Sequence, residues 1–215
     1  MARRRVAVLI SGSGSNLQAL IDRSREEDAS FDIVQVISNV AGAFGLERAR
    51  QAGIPALVVD HRAFENRPAF DRVVGSALAE SGAAFVCLAG FMRILGTELV
   101  EAWTNRMLNI HPALLPSFKG LHTHERALAA GVRVHGCTVH VVRPALDDGP
   151  IVVQGVVPVL PGDDATILGR RVMEVEHRAY PLALDLLASG KAEITGETVR
   201  VDPDCPTLIR HPGLP

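Results

Sequence analysis

The 215-residue chain reads as an α/β protein: a doubly wound, mostly parallel sheet of Rossmann-related type, with an antiparallel C-terminal part. Three observations predict this class. Short apolar runs alternate with amphipathic stretches through residues 6–110. A glycine-rich turn joins the first run to the first amphipathic stretch. Two β-branched runs, 132–142 and 151–159, then follow one another across a single turn-rich loop.

Val6–Ile10 is a continuous apolar run, as expected of a strand covered on both faces. The turn Ser11–Gly14 stops it. Asn16–Arg25 then reads as a helix, with Leu17, Ala19, Leu20 and Ile21 ahead of charged residues. Ile33–Ile37 is a second strand, Phe44–Ala52 a short helix closed by Gly53 and Pro55, and Ala56–Val59 a third strand. Phe70, Val73, Val74, Ala77 and Leu78 repeat with a helical period inside Pro68–Ser81. Phe85–Leu88 is a strand, Leu95–Trp103 a helix, and Met107–Ile110 a strand. A long helix spans about Ala165 to Ser189, with a kink expected at Pro181. Lys191–Val201 suggests a hairpin turning at Thr195-Gly196-Glu197, and the tail Asp202–Pro215, with four prolines, is expected to be irregular. No repeat or low-complexity linker interrupts the chain, which predicts one domain. Its halves are 1–110, carrying the glycine turn, and 111–201, with 202–215 as the tail.

Composition narrows the function classes. Apolar residues make up 47% and the net charge is −2, which fits a globular protein and gives no electrostatic footprint for nucleic acid. Aromatics at 4% also argue against a base-stacking surface. The basic start Met1–Arg5 is followed by too short an apolar run for a secretory leader, which needs roughly 7–15 residues. No stretch approaches a membrane span. Three cysteines, Cys87, Cys137 and Cys205, with no CxxC, point to a reducing, cytoplasmic setting.

The most informative segment is Asn109-Ile110-His111-Pro112. Alternate residues of a strand share a face, so the amide and the imidazole would sit together at a strand end. Asn can donate to a developing oxyanion, and His can move protons near neutral pH. Pro112 ends the pairing there, at the edge where open α/β sheets place ligands. A histidine before a proline is, however, more often a turn residue.

The turn Ser11-Gly12-Ser13-Gly14-Ser15-Asn16 opens a helix, and backbone amides there form a natural anion site. Two familiar versions fail. A dinucleotide fingerprint from Gly12 needs glycine where Leu17 stands, and a Walker loop needs a lysine that is absent. A small phosphate monoester fits better than a dinucleotide or ATP. A plain strand-to-helix turn capped by Ser15 or Asn16 is the alternative.

Five of eight histidines fall between 111 and 140: His111, His122, His124, His135 and His140. A zinc motif starting at His124 fails at Leu128, so no metal is expected, and His122, His124 and His140 read as structural. Asp147, in Leu146-Asp147-Asp148-Gly149-Pro150, could charge and align His111, or be a solvated turn residue. No GxSxG elbow or serine–histidine–acid set favours covalent catalysis.

Several stretches together resemble the folate-dependent glycinamide ribonucleotide formyltransferase family. They are Ser11–Gln18, Phe44–Gly53, Leu88–Leu95, Leu108–Pro116, Gly120–His124 and Leu146–Pro150, in the same order, over most of Val6–Ser189. The resemblance implies a formyltransferase-like fold and transfer of a formyl group from 10-formyltetrahydrofolate to the amine of glycinamide ribonucleotide, in purine biosynthesis. It implies that Asn109, His111 and Asp147 are catalytic. It further implies that Gly14, Ser15 and Asn16 hold the substrate phosphate and that Glu176 contacts the same substrate. Folate contacts are implied for Arg67, Met92, Arg93, Ile94, Leu95 and Asn109, and for the closing loop Arg143, Pro144, Ala145, Leu146 and Asp147. Small-molecule partners, no nucleic acid or membrane, and a monomer or homodimer are implied with them. Asp148 departs from the family, which often has glycine there, and Cys137-Thr138 replaces a more usual small hydroxyl pair. The nearest rival readings are formyltetrahydrofolate hydrolase, methionyl-tRNA formyltransferase and a non-catalytic phosphosugar-binding module.

Overall fold

The computed structural model describes residues 2–214, so the sequence-based expectations at Met1 and Pro215 lie outside it. The chain divides into two compact units, 1–109 and 110–215.

The first unit is a parallel α/β layer. It contains β1 (Arg4–Ile10), α1 (Ser15–Ser24), β2 (Phe31–Ser38), α2 (Phe44–Gln51), β3 (Ala56–Val58), α3 (Arg67–Glu80), β4 (Phe85–Leu88) and α4 (Thr97–Ala102). β5 (Met107–His111) begins in it. Its strands run in the order β5-β4-β1-β2-β3, each pair parallel. Val6 through Ile10 are all fully buried, which is why an unbroken apolar run forms the central strand. Helices cover it with stripes at helical spacing: Leu17, Leu20 and Ile21 on α1, and Phe70, Val74 and Leu78 on α3. Asn66 caps α3 by accepting from the Ala69 N–H at 3.0 Å. The order of connections reverses between β1 and β4, and loops leaving their C-terminal ends flank that point.

The second unit holds α5 (Thr123–Ala129), β6 (Val134–Val141), β7 (Ile151–Pro158), α6 (Ala165–Ala188), β8 (Ala192–Thr195), β9 (Thr198–Val201) and β10 (Leu208–Arg210). β6 and β7 are antiparallel, as the two β-branched runs predict. β8 and β9 form the expected hairpin. α6 packs its buried Leu168, Val172, Val175 and Ala179 on β6 and β7, and Asp164 caps it by accepting from the Ile167 N–H at 2.7 Å. The helix continues through Pro181 to Ala188.

Three sequence expectations change. The helix read from Leu95 starts at Thr97, because Gly96 is its extended N-terminal cap residue and Leu95 belongs to the loop before it. α5 was not expected, because its seven residues carry too little apolar periodicity to register. The tail is not wholly irregular. Leu208–Arg210 pairs parallel with Gln154–Val156 and buries Ile209, a gain from tertiary pairing that a proline-rich segment does not advertise.

Gly14 shows why the first turn needs glycine. Its φ is +70°, and a Cβ there would lie 2.6 Å from the Gly45 Cα. α1 and α2 meet backbone to backbone at this point, and the Gly45 N–H donates to the Gly12 carbonyl at 3.0 Å. Gly14→Ala is therefore expected to lower unfolding free energy by about 1–3 kcal/mol in urea titrations. A stability equal to the parent's would show that the two helices separate freely.

Candidate functional site

In the first unit, α1 starts without a side-chain cap: Gly14 precedes it in the left-handed region, and neither Ser15 nor Asn16 acts as the cap residue. The helix N-terminal turn, with its aligned amides and positive dipole end, faces the loop side of the sheet. Ser11 ties this turn to the loop after β4. Its N–H donates to the Gly90 carbonyl at 3.2 Å, and its Oγ accepts from the Met92 N–H at 2.7 Å. The Ser11 hydroxyl donates in turn to Asn39 Oδ1 at 2.6 Å. The glycine turn and residues 92–95 are thus neighbours within one unit. Met92 and Ile94 are two-thirds exposed, Arg93 is exposed, and Leu95 is buried. Arg67 lines a cleft of 370 Å³ with Asp71, Arg72 and Glu98. Asp71 accepts from the Gly96 N–H at 2.8 Å, which fixes the end of the 92–96 loop on α3, and burial raises its carboxyl pKa.

Asn109 and His111 lie two residues apart on β5, so they emerge on one face of that strand. In the second unit, the His111 ring is 6% exposed and faces two acceptors. Its Nδ1 is 3.4 Å from Asp147 Oδ2, and its Nε2 lies 3.0 Å from the Phe118 carbonyl. Each ring nitrogen of His111 thus faces an oxygen. The Asp147 side chain is 8% exposed. Its Oδ2 also accepts from the Gly120 N–H at 2.8 Å, and its Oδ1 lies 3.9 Å from His140 Nε2. Asp147 is therefore not a solvated turn aspartate. Burial and a backbone donor make it a fixed acceptor beside His111.

The remaining implied residues are less tightly placed. Arg143 donates to Glu197 Oε1 at 3.2 Å and to the Gly196 carbonyl at 3.3 Å, which ties the start of the loop to the β8–β9 turn. Pro144, Ala145 and Leu146 are exposed. Glu176 is buried on α6 and adds to burial in raising the Cys137 thiol pKa, which marks Cys137 as an inert packing residue. Thr138 is also inside, donating to the Ala113 carbonyl at 2.7 Å and accepting from the Leu115 N–H at 3.0 Å.

Sequence reasoning missed the contribution of Phe118 and Gly120, because both act through backbone groups. The one available signal was Gly120 itself, which adopts φ +80° in a turn aimed at Asp147. Of the other histidines in this stretch, His135 and His140 are buried, His124 is half-buried and His122 is exposed. His124 Nδ1 is 3.1 Å from His135 Nε2, and burial depresses the pKa of both rings, that of His135 to about 4. Burial likewise takes His140 to about 4. Among the described residues, no group of three or more His, Cys, Asp or Glu is arranged to hold a metal ion, and no helix is long and apolar enough to cross a membrane.

A family model described as formyl transferase matches residues 4–184. The chain belongs to that family. It is 46% identical over 189 residues to phosphoribosylglycinamide formyltransferase of Escherichia coli, a match covering 88% of this chain and 89% of that one. It is 52% identical over 199 residues to the trifunctional purine biosynthetic protein adenosine-3 of Bos taurus, covering 93% of this chain but only about a fifth of the relative. Among solved structures, glycinamide ribonucleotide transformylase 1 of Symbiobacterium toebii superposes with a TM-score of 0.90 at 49% identity, covering 93% and 94% of the two chains. A formyltetrahydrofolate deformylase from Pseudomonas syringae shares the fold at a TM-score of 0.87 but only 27% identity, and this chain covers 66% of it. The doubly wound, formyltransferase-like fold expected from the sequence is thus present.

The buried histidines give the stability a pH dependence. Their ordinary pKa of 6.5 falls to about 4 in the folded chain for His135 and His140. Between these values the unfolded chain binds more protons, so stability is present above about 6.5 and lost as pH falls toward about 4. Urea midpoints should drop across this window, and His135→Asn should make the drop shallower. An unchanged slope in that variant would remove His135 from the account.

Proposed function

We propose that the chain transfers the formyl group of 10-formyltetrahydrofolate to the primary amine of glycinamide ribonucleotide, a step of purine biosynthesis. The observation that carries the reading is the buried His111–Asp147 pair at the end of β5, in a chain 46% identical to a phosphoribosylglycinamide formyltransferase.

The chemistry follows from the groups present. The amine attacks the formyl carbon, and the carbonyl oxygen becomes a tetrahedral oxyanion. The Asn109 amide and a His111 ring N–H donate to that oxygen. Both His111 nitrogens already face acceptors, so substrate binding exchanges one of those contacts for the formyl oxygen. The amine then gives up a proton and the folate nitrogen takes one as the carbon–nitrogen bond breaks, with His111 as the carrier. Asp147 holds the imidazole in place and offsets the positive charge the ring carries while it relays the proton. The remaining roles are proposals of the same kind. Gly14, Ser15 and Asn16 hold the ribonucleotide phosphate at the start of α1, and Glu176 contacts the same substrate. Arg67, Met92, Arg93, Ile94 and Leu95, with the loop Arg143–Asp147, hold the folate.

The hydrolase is the second reading, since it uses the same donor with water in place of the amine. Tetrahydrofolate release, followed spectrophotometrically, is expected only when glycinamide ribonucleotide is present. Release at the same rate without the amine would establish the hydrolase instead. Asn109→Ala and His111→Ala should each lower kcat by roughly 10²–10⁴-fold with the fold intact. Turnover near the parent's in either variant would remove that residue from the chemistry.

A further inference from the structure

Asp147 has φ +49°, a backbone conformation that a non-glycine residue keeps only where its surroundings impose it. The base of its loop is fixed. The Val141 N–H donates to the Pro150 carbonyl at 2.8 Å, and at Gly149 a Cβ would meet the Val141 carbonyl oxygen at 1.7 Å. The crest is gripped from the turn after β5. The Gly120 N–H donates to Asp147 Oδ2, while the Lys119 ammonium donates to the Asp148 carboxylate. Two consecutive residues of one turn thus hold two consecutive residues of the other. The holding turn is itself anchored, since Arg126 of α5 donates to the Lys119 carbonyl at 2.6 Å.

We propose that Lys119 is a positioning residue for formyl transfer: by pairing with Asp148 it keeps the neighbouring Asp147 carboxylate against His111. The inference rests on the proposed reaction and adds to it a residue with no contact to the reacting atoms. The Lys119 and Asp148 side chains are 36% and 56% exposed, so the pair adds little to global stability. Its effect falls on geometry, to which rates are sensitive at the scale of about 1 Å.

The test is a double-mutant cycle in the full chain, with Lys119→Ala, Asp148→Ala and both together, alongside Lys119→Arg and the charge exchange Lys119→Asp/Asp148→Lys. Each single alanine variant should lower kcat about three- to fivefold with both KM values nearly unchanged. The double variant should fall no further, and the arginine and exchanged variants should recover. Hydrogen exchange at the Gly120 amide, which needs no substrate, should quicken in each alanine variant. Single variants with the parent's kcat, or losses that multiply in the double variant, would overturn the proposal. If the parent shows no amine-dependent transfer, the reaction itself is wrong, and exchange at Gly120 alone then decides whether Lys119 holds Asp147: unaltered exchange in Lys119→Ala would refute it.

Discussion

The contact on which the proposed chemistry depends is the approach of a buried carboxylate to a buried imidazole. Asp147 and His111 are 3.4 Å apart with under a tenth of either side chain exposed. An isolated carboxylate taken out of water is strongly disfavoured, so its oxygens must find donors. The Gly120 amide donates to Asp147 Oδ2, which the His111 ring also faces, and His140 Nε2 lies near the second oxygen. Burial lowers the pKa of His140 to about 4.

The first unit opens a helix on a glycine turn with no cationic side chain in the loop. Gly14 turns the chain into α1 and lets the α2 backbone approach it closely, so the helix starts with its amides directed at the loop side. Ser11 couples this turn to residues 90–92, so the segment read as phosphate-binding and the start of the segment read as folate-binding share one framework. Asp71 fixes the other end of that second segment at Gly96.

Much of this was legible in the sequence where local pattern and tertiary role agree. The continuous apolar run Val6–Ile10 could only be a doubly covered strand, and Asn109 and His111 at alternate positions had to share a strand face. Three features were not legible. The burial of Asp147 depends on a backbone donor twenty-seven residues away, and residue type alone favoured a solvated turn. α5 is too short to show periodicity. β10 exists because β7 offers its edge to Leu208–Arg210, a long-range pairing that leaves no local trace. For Asp147 and β10 the missing information was a backbone hydrogen bond over a large sequence separation.

The most direct measurement is the single-turnover rate of formyl transfer by Asp147→Asn with both substrates saturating. Asparagine keeps the shape and can still accept from Gly120, but it lacks the negative charge that faces the His111 ring. The rate should fall by roughly 10²–10⁴-fold, with substrate affinities little altered. A rate equal to the parent's would contradict the dependence of the chemistry on the carboxylate–imidazole contact.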